Sequence, residues 1–221
     1  RSQNQAAEHV QNDVYGEMIL TLTPIFFDER FRHLRTSDHE LLLEHLAKFC
    51  VANISKPDAG LWELRDGWQE HSFSNLMCWA GIERALRLQQ KGYLKNLNVD
   101  LVKAKEKAEA ALRGAVKDGV LGNGPKDLTL DAAFLQLPLL RFSDEKLSRQ
   151  TITKIKSDLN LGNTPELSPF LYRYLRKDDF GQPKSSFLIC SFWLIQALAK
   201  TDQMDEARMM MQQVNLAANP L

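Results

Sequence analysis

Cysteine is scarce in this 221-residue sequence. Cys50, Cys78 and Cys190 stand far apart with no C-x-x-C between them, which excludes a disulfide scaffold and a cysteine-rich zinc site. Reduced, buried thiols are expected, and they lean towards the cytoplasm. Net charge is missing as well: Lys plus Arg and Asp plus Glu number 28 each, the wrong balance for gripping phosphate backbones or anionic lipid. Neither a nucleic acid nor a membrane surface is therefore an expected partner. The longest apolar run, Phe187 to Ile195 broken only by Ser191, is about half of the roughly 20 residues that a membrane span requires. His9, His33, His39, His45 and His71 form no H-E-x-x-H, and no G-x-S-x-G occurs, so a zinc hydrolase and an elbow-type serine hydrolase lack support. No cofactor and no metal are expected. With 11 Gly and 8 Pro the chain is neither collagen-like nor linker-rich, and 44% hydrophobic with 25% charged residues is an ordinary globular composition.

What is present is helical periodicity of two alternating kinds. Residues 10–27 carry Val14, Met18, Ile19, Leu20, Leu22, Ile25 and Phe26, apolar around most of the helix, and predict an enclosed element. The next segment opens with Ser37-Asp38-His39-Glu40, a capping-box spacing, and shows one stripe of Leu42, Leu46, Phe49, Cys50 and Ile54. It should lie outside. The pair recurs: 73–90 enclosed and 98–117 outer, 130–140 enclosed and 144–159 outer, 186–199 enclosed and 202–218 outer with Met204, Ala207, Met211 and Val214 as its stripe. The run Lys103, Lys105, Glu106, Lys107 and Glu109 reads as a solvated helix face. Four such couplets and no convincing strand predict an all-α fold of stacked helical hairpins, an α/α toroid or solenoid. The long connections 55–72, 118–129 and 162–184 all join an outer helix to the next inner one, so they are expected at one end of the stack. The sequence opens at Arg1 and stops at Asn219-Pro220-Leu221, and both ends are expected to continue in a longer chain.

One connection holds a chemically suggestive run, Pro57-Asp58-Ala59-Gly60-Leu61-Trp62-Glu63-Leu64-Arg65. A carboxyl held against an indole is partly out of water, which favours the neutral acid needed for proton donation, while a guanidinium two residues on opposes this. Glu63 is thus a candidate general acid, and a surface pair with Arg65 is its plainer alternative. Asp13 and Glu17, one turn apart, read as local capping or pairing groups.

At these residues the chain resembles glycoside hydrolase family 15, the glucoamylases, glucodextranases and bacterial trehalases. The resemblance rests on Gln11-Asn12-Asp13-Val14-Tyr15-Gly16-Glu17, on the Pro57 to Arg65 run, and on Met77-Cys78-Trp79 with Glu83-Arg84-Ala85. It extends to Leu130-Asp131-Ala132-Ala133 with Leu137-Pro138, to Tyr172-Arg173-Tyr174 before Asp178-Asp179, and to Phe187 through Trp193. It implies an incomplete (α/α)6 barrel, of which residues 1–221 are the central and C-terminal part. It also implies inverting, exo-acting hydrolysis of α-glucosidic bonds, with starch-type oligosaccharides as first substrate and trehalose as second. Glu63 would protonate the glycosidic oxygen. Trp62 and Arg65 would line the sugar site, and Arg173 with Asp178 or Asp179 would hydrogen-bond glucose hydroxyls. The family's W-D-Y-R block is absent, Pro183-Lys184 replaces a frequent Pro-Glu, and the family's general base follows a segment like Asn219-Pro220-Leu221, where this sequence ends. The chain alone is then expected to be inactive and to associate with missing parts of its parent. A glucoamylase-like domain that binds a glycan or partner without hydrolysis is the reading from a different class.

Overall fold

The computed structural model describes residues 8–65, 67–162, 168–178 and 181–217. They form two compact units, one running to Gly114 together with Gly124–Lys126, the other made of Ala115–Asn123 and the chain from Asp127 onward. Among the described residues no helix is long and apolar enough to cross a membrane.

The first unit holds α1 (Asp13–Phe27), α2 (Ser37–Asn53), α3 (Ser72–Gln90) and α4 (Leu101–Arg113), with a 3-10 helix Glu29–Leu34 between α1 and α2. Helix α3 is its centre: every residue from Ser72 to Glu83 is buried, and α1, α2 and α4 all pack on it. Burying Leu76, Trp79 and Ile82 contributes about 1.5–3 kcal/mol each. The Trp79 indole N–H donates to Glu109 Oε1 at 2.9 Å, so the charged face of α4 is not wholly solvated: Glu109 reaches down to satisfy a core indole. Helices α1 and α3 meet backbone to backbone. A Cβ on Gly16 would stand 2.0 Å from the Met77 carbonyl oxygen, and one on Gly81 would stand 3.0 Å from the Gly16 Cα. Only glycine fits at that crossing.

The α2 cap sits one residue earlier than the spacing predicts. Thr36 is the N-cap and accepts from the His39 N–H, while Glu40 accepts from the Leu94 N–H at 3.1 Å instead of closing a capping box. Asp100 caps α4 through the Lys103 N–H, and Leu101, Ala104, Ala108 and Leu112 form its buried stripe.

The second unit holds a hairpin of β1 (Val116–Lys117) and β2 (Val120–Leu121), a 3-10 helix Ala132–Gln136, and α5 (Glu145–Asp158), α6 (Leu188–Lys200) and α7 (Met204–Leu216). Two expectations fail here. The end of the expected helix 98–117 turns back as a strand pair at Asp118-Gly119, both at positive φ, the dipeptide that two-residue hairpin turns favour. The expected inner helix 130–140 is a 3-10 turn. Pro138 has no N–H to give the Phe134 carbonyl, which instead accepts from Leu137 three residues on. Helix α7 buries Ala207, Met210 and Val214, leaving Met211 38% exposed, so the stripe runs through Met210.

Helices α1 and α6 also depart from the expectation of full enclosure. Val14 and Met18 on α1, and Leu188, Ile189 and Phe192 on α6, are exposed. Each helix therefore shows an apolar face with no described element against it.

Candidate functional site

In the first unit the Pro57 to Arg65 run forms the start of a closed loop. The Asp58 N–H donates to the Gln69 carbonyl at 3.0 Å and the Ala59 N–H to the Val10 carbonyl at 2.8 Å. Inside the loop Glu63 N–H bonds back to Gly60 and Leu64 N–H to Ala59. Gly60 has φ +67°, and a Cβ there would meet the His71 ring at 2.8 Å. Glu63 itself sits at φ +53°, a strained conformation for a residue with a Cβ, costing of the order of 1 kcal/mol, and of the kind that gathers at functional sites. The strain is held by the bonds on either side of it.

The expected enclosure of Glu63 by an indole is not found: Glu63 is exposed, as is Arg65, with Trp62 half-buried beside them. A second indole on the same loop, Trp68, is 39% exposed, with its ring 6.5 Å from and edge-on to that of His9. The sequence reading passed over Trp68, although its spacing of six from Trp62 was available.

Beneath this loop lies a carboxyl pair. Asp58 is fully buried; its Oδ2 accepts from the Asn12 N–H and from Ser74 Oγ, both at 2.7 Å, and its Oδ1 from the Gly60 N–H at 3.2 Å. The Gly60 contact is the i to i+2 bond of an Asx turn, so the Asp-x-Gly order was a legible signal. Burial raises the Asp58 carboxyl above its ordinary value, and these donors offset only part of that rise. Asp13 keeps the local contacts the sequence suggested, its carboxyl drawing on its own and the Val14 backbone N–H groups, but it is not a solvated surface group. It is 3% exposed, its Oδ1 has no hydrogen-bond partner, and burial followed by the nearby Glu17 and Asp58 charges raises it to about 7. Near neutral pH Asp13 holds a proton much of the time, which lowers repulsion on Asp58.

The second unit contains the other candidates. Arg173 Nη2 donates to Asp178 Oδ2, and the Tyr174 hydroxyl donates to the same oxygen at 2.8 Å. The Asp178 side chain is only 5% exposed and is engaged by Arg173 and Tyr174. Burial and this carboxylate push the Tyr174 phenol well above its ordinary range. Tyr174 is fully buried between two guanidiniums, Arg173 at 4.8 Å and Arg176 at 3.9 Å from its ring centre. Arg176 is fixed in turn by Asp131 at 2.8 Å. Arg176 and Asp131 were not singled out from the sequence as site residues, because only folding brings residues 45 apart together. Asp179 lies outside the described residues. A cleft of about 490 Å³ in this unit is lined by Arg176 but by neither Arg173 nor Asp178.

All three cysteines are free and buried. Among the described residues no cluster of three or more His, Cys, Asp or Glu side chains could hold a metal ion.

A family model described as glycosyl hydrolases family 15 matches residues 1–217. The sequence is 28% identical over 225 residues to a protein of Mycolicibacterium smegmatis named trehalase, covering 99% of this chain and 32% of that protein. It is 26% identical to a trehalase of Mycobacterium tuberculosis, with the same coverage, and 24% identical to trehalase 1 of Sulfolobus acidocaldarius, covering 96% of this chain and 35% of that one. The chain thus spans about a third of the length of these relatives. Two solved glycosidase structures share its fold: a wild-type enzyme with TM-score 0.70 at 15% identity, covering 93% of this chain and 53% of that one, and a variant in complex with glucose with TM-score 0.69 at 14% identity, covering 96% and 54%. The fold is all-α, of the (α/α)-barrel type found in these glycosidases.

Proposed function

The chain belongs to glycosyl hydrolases family 15, and on that footing we propose that the protein carrying it hydrolyses trehalose with inversion, Glu63 protonating the glycosidic oxygen. The observation that carries this reading is the closed loop from Asp58 to Gln69, which fixes a carboxyl at a strained φ on a loop with two indoles. Indole faces suit the apolar faces of a glucose ring. Trehalose takes precedence over starch-type oligosaccharides, which the sequence reading placed first, because the curated relatives described above are named trehalases.

Inversion requires a second carboxylate that activates water across the bond from the acid, the two groups roughly 6.5 to 9.5 Å apart. Asp13 and Asp58 do not qualify: both are buried, and Asp58 already accepts from three donors. The base is assigned to a part of the catalytic domain outside this chain. The same parts are proposed to cover the apolar faces of α1 and α6 and to close over Glu63, giving it the dry surroundings that an acid near neutral pH needs.

The test is proton NMR of the full-length protein acting on α,α-trehalose. Inversion turns one glucose into the β anomer and releases the other as α, so equal amounts appear before mutarotation. Release of α-glucose alone would exclude the mechanism. Turnover (kcat/KM) of trehalose is expected to exceed that of maltose by about tenfold or more; a reversed ranking would restore the starch-type reading.

Arg173 is proposed to donate to glucose hydroxyls, held in aim by Asp178 and Tyr174. Lys cannot copy the fork of a guanidinium, so Arg173→Lys in the full-length protein should lower kcat/KM by about tenfold or more with the melting temperature little changed. Loss of stability with normal kinetics would make Arg173 structural.

A further inference from the structure

We infer that Asp58 is a positioning residue for Glu63, its carboxylate holding the strained turn on which the acid sits; this rests on the reading of Glu63 as the acid. Three separate stretches of chain converge on Asp58. Asn12 comes from the start of α1, Gly60 from the turn itself, and Ser74 from the first turn of α3. All three donate to a side chain with no exposed surface. The turn is therefore tied to both helices of the closest crossing in the unit, where Gly16 meets the Met77 backbone. That crossing does not yield easily, so the tie is rigid.

The consequence for Glu63 follows from its backbone. Positive φ at a residue with a Cβ persists only while its surroundings over-determine it. Ala59 is bonded to Val10 on one side and to Leu64 on the other, and Gly60 accepts from Glu63 and from Gln11 Nε2. Without the bond from Gly60 N–H to Asp58, and without the anchor to Asn12 and Ser74, the turn can relax to negative φ and swing the Glu63 carboxyl away. A displacement of about 1 Å costs of the order of 100-fold in rate. The ionised form of Asp58 is the one that accepts all three donors, and the proton that Asp13 holds near neutral pH lowers the repulsion between the two carboxyls.

The experiment compares Asp58→Asn, Ser74→Ala and Glu63→Gln in the full-length protein, with rates expressed per folded molecule from circular dichroism. Two readouts separate aim from stability. The first is turnover of trehalose against α-glucosyl fluoride, whose leaving group needs little proton donation. The second is the rate of trypsin cleavage after Arg65 relative to the wild-type full-length protein; Arg65 lies on the turn and is exposed in this chain. Asp58→Asn should lower kcat on trehalose by about tenfold or more and on the fluoride by less than about threefold, and should speed cleavage after Arg65. Ser74→Ala should move all three in the same directions by smaller factors. It carries the test if Asp58→Asn does not fold, in which case an unchanged cleavage rate and substrate ratio overturns the proposal. Equal losses on both substrates, or wild-type cleavage at Arg65 in folded Asp58→Asn, also overturn it. Normal turnover by Glu63→Gln would instead refute the acid assignment, and the cleavage rate would still decide whether Asp58 holds the turn.

Discussion

Glu63→Gln in the full-length protein is expected to abolish most trehalose turnover, a fall in kcat of at least about 100-fold, because the amide keeps the shape of the acid but has no proton to transfer. KM should change little, since Arg173 and the indoles are the groups proposed to bind the sugar. Turnover of α-glucosyl fluoride should survive far better. The amide has the size and shape of the acid it replaces, so the melting temperature should hold. Near-normal trehalose hydrolysis by this variant would remove Glu63 from the mechanism.

The second large effect concerns stability and has a definite sign. Asp13 is raised from 3.8 to about 7 by burial, then by Glu17 and Asp58, so the folded protein prefers it protonated. The stability associated with that proton is fully present below about pH 4 and is lost as pH rises through about 7, where the folded state must hold or expel a buried charge. The groups that bear on Asp13 are Glu17 and Asp58, and His71 bears on Asp58. Asp13→Asn removes the titration while keeping a polar side chain of the same shape. Relative to wild type the variant should gain stability on going from pH 4 to pH 8, by up to about 4 kcal/mol at 1.36 kcal/mol per pKa unit. Urea unfolding of the 221-residue chain at pH 4, 6 and 8 measures this. A difference between the two proteins that stays constant across that range would show that Asp13 does not titrate between them.

The first effect arises on the loop and the second on α1 beside it, and the parts of the loop were not equally legible. Glu63, Trp62 and Arg65 are consecutive or nearly so, and a run bounded by Pro57 and Gly60 announces a fixed turn. That Asp58 anchors the run depends on Asn12 and Ser74, 46 and 16 residues away, and local spacing does not register such partners. Burial misled at Glu63: the neighbouring indole suggested cover, yet adjacency in sequence does not lay one side chain over the next, and Glu63 is exposed. At Arg173 the sequence offered two acidic neighbours, and folding pairs Asp178 with Arg173.

The sequence by itself determined the all-α class, the places of most of the helices, the three buried thiols and the loop that carries Glu63, because helical period, composition and turn residues act over a few positions each. Single local features also set two departures from the regular pattern: Pro138 confines its segment to a 3-10 turn, and Asp118-Gly119 reverses the chain. Tertiary structure decided the rest. The Met210 register of α7, the bond from Glu109 to the core indole, the proton on Asp13 and the convergence on Asp58 all depend on surfaces that meet only after folding. Desolvation and long-range hydrogen bonds are properties of those meetings and not of any residue's place in the chain.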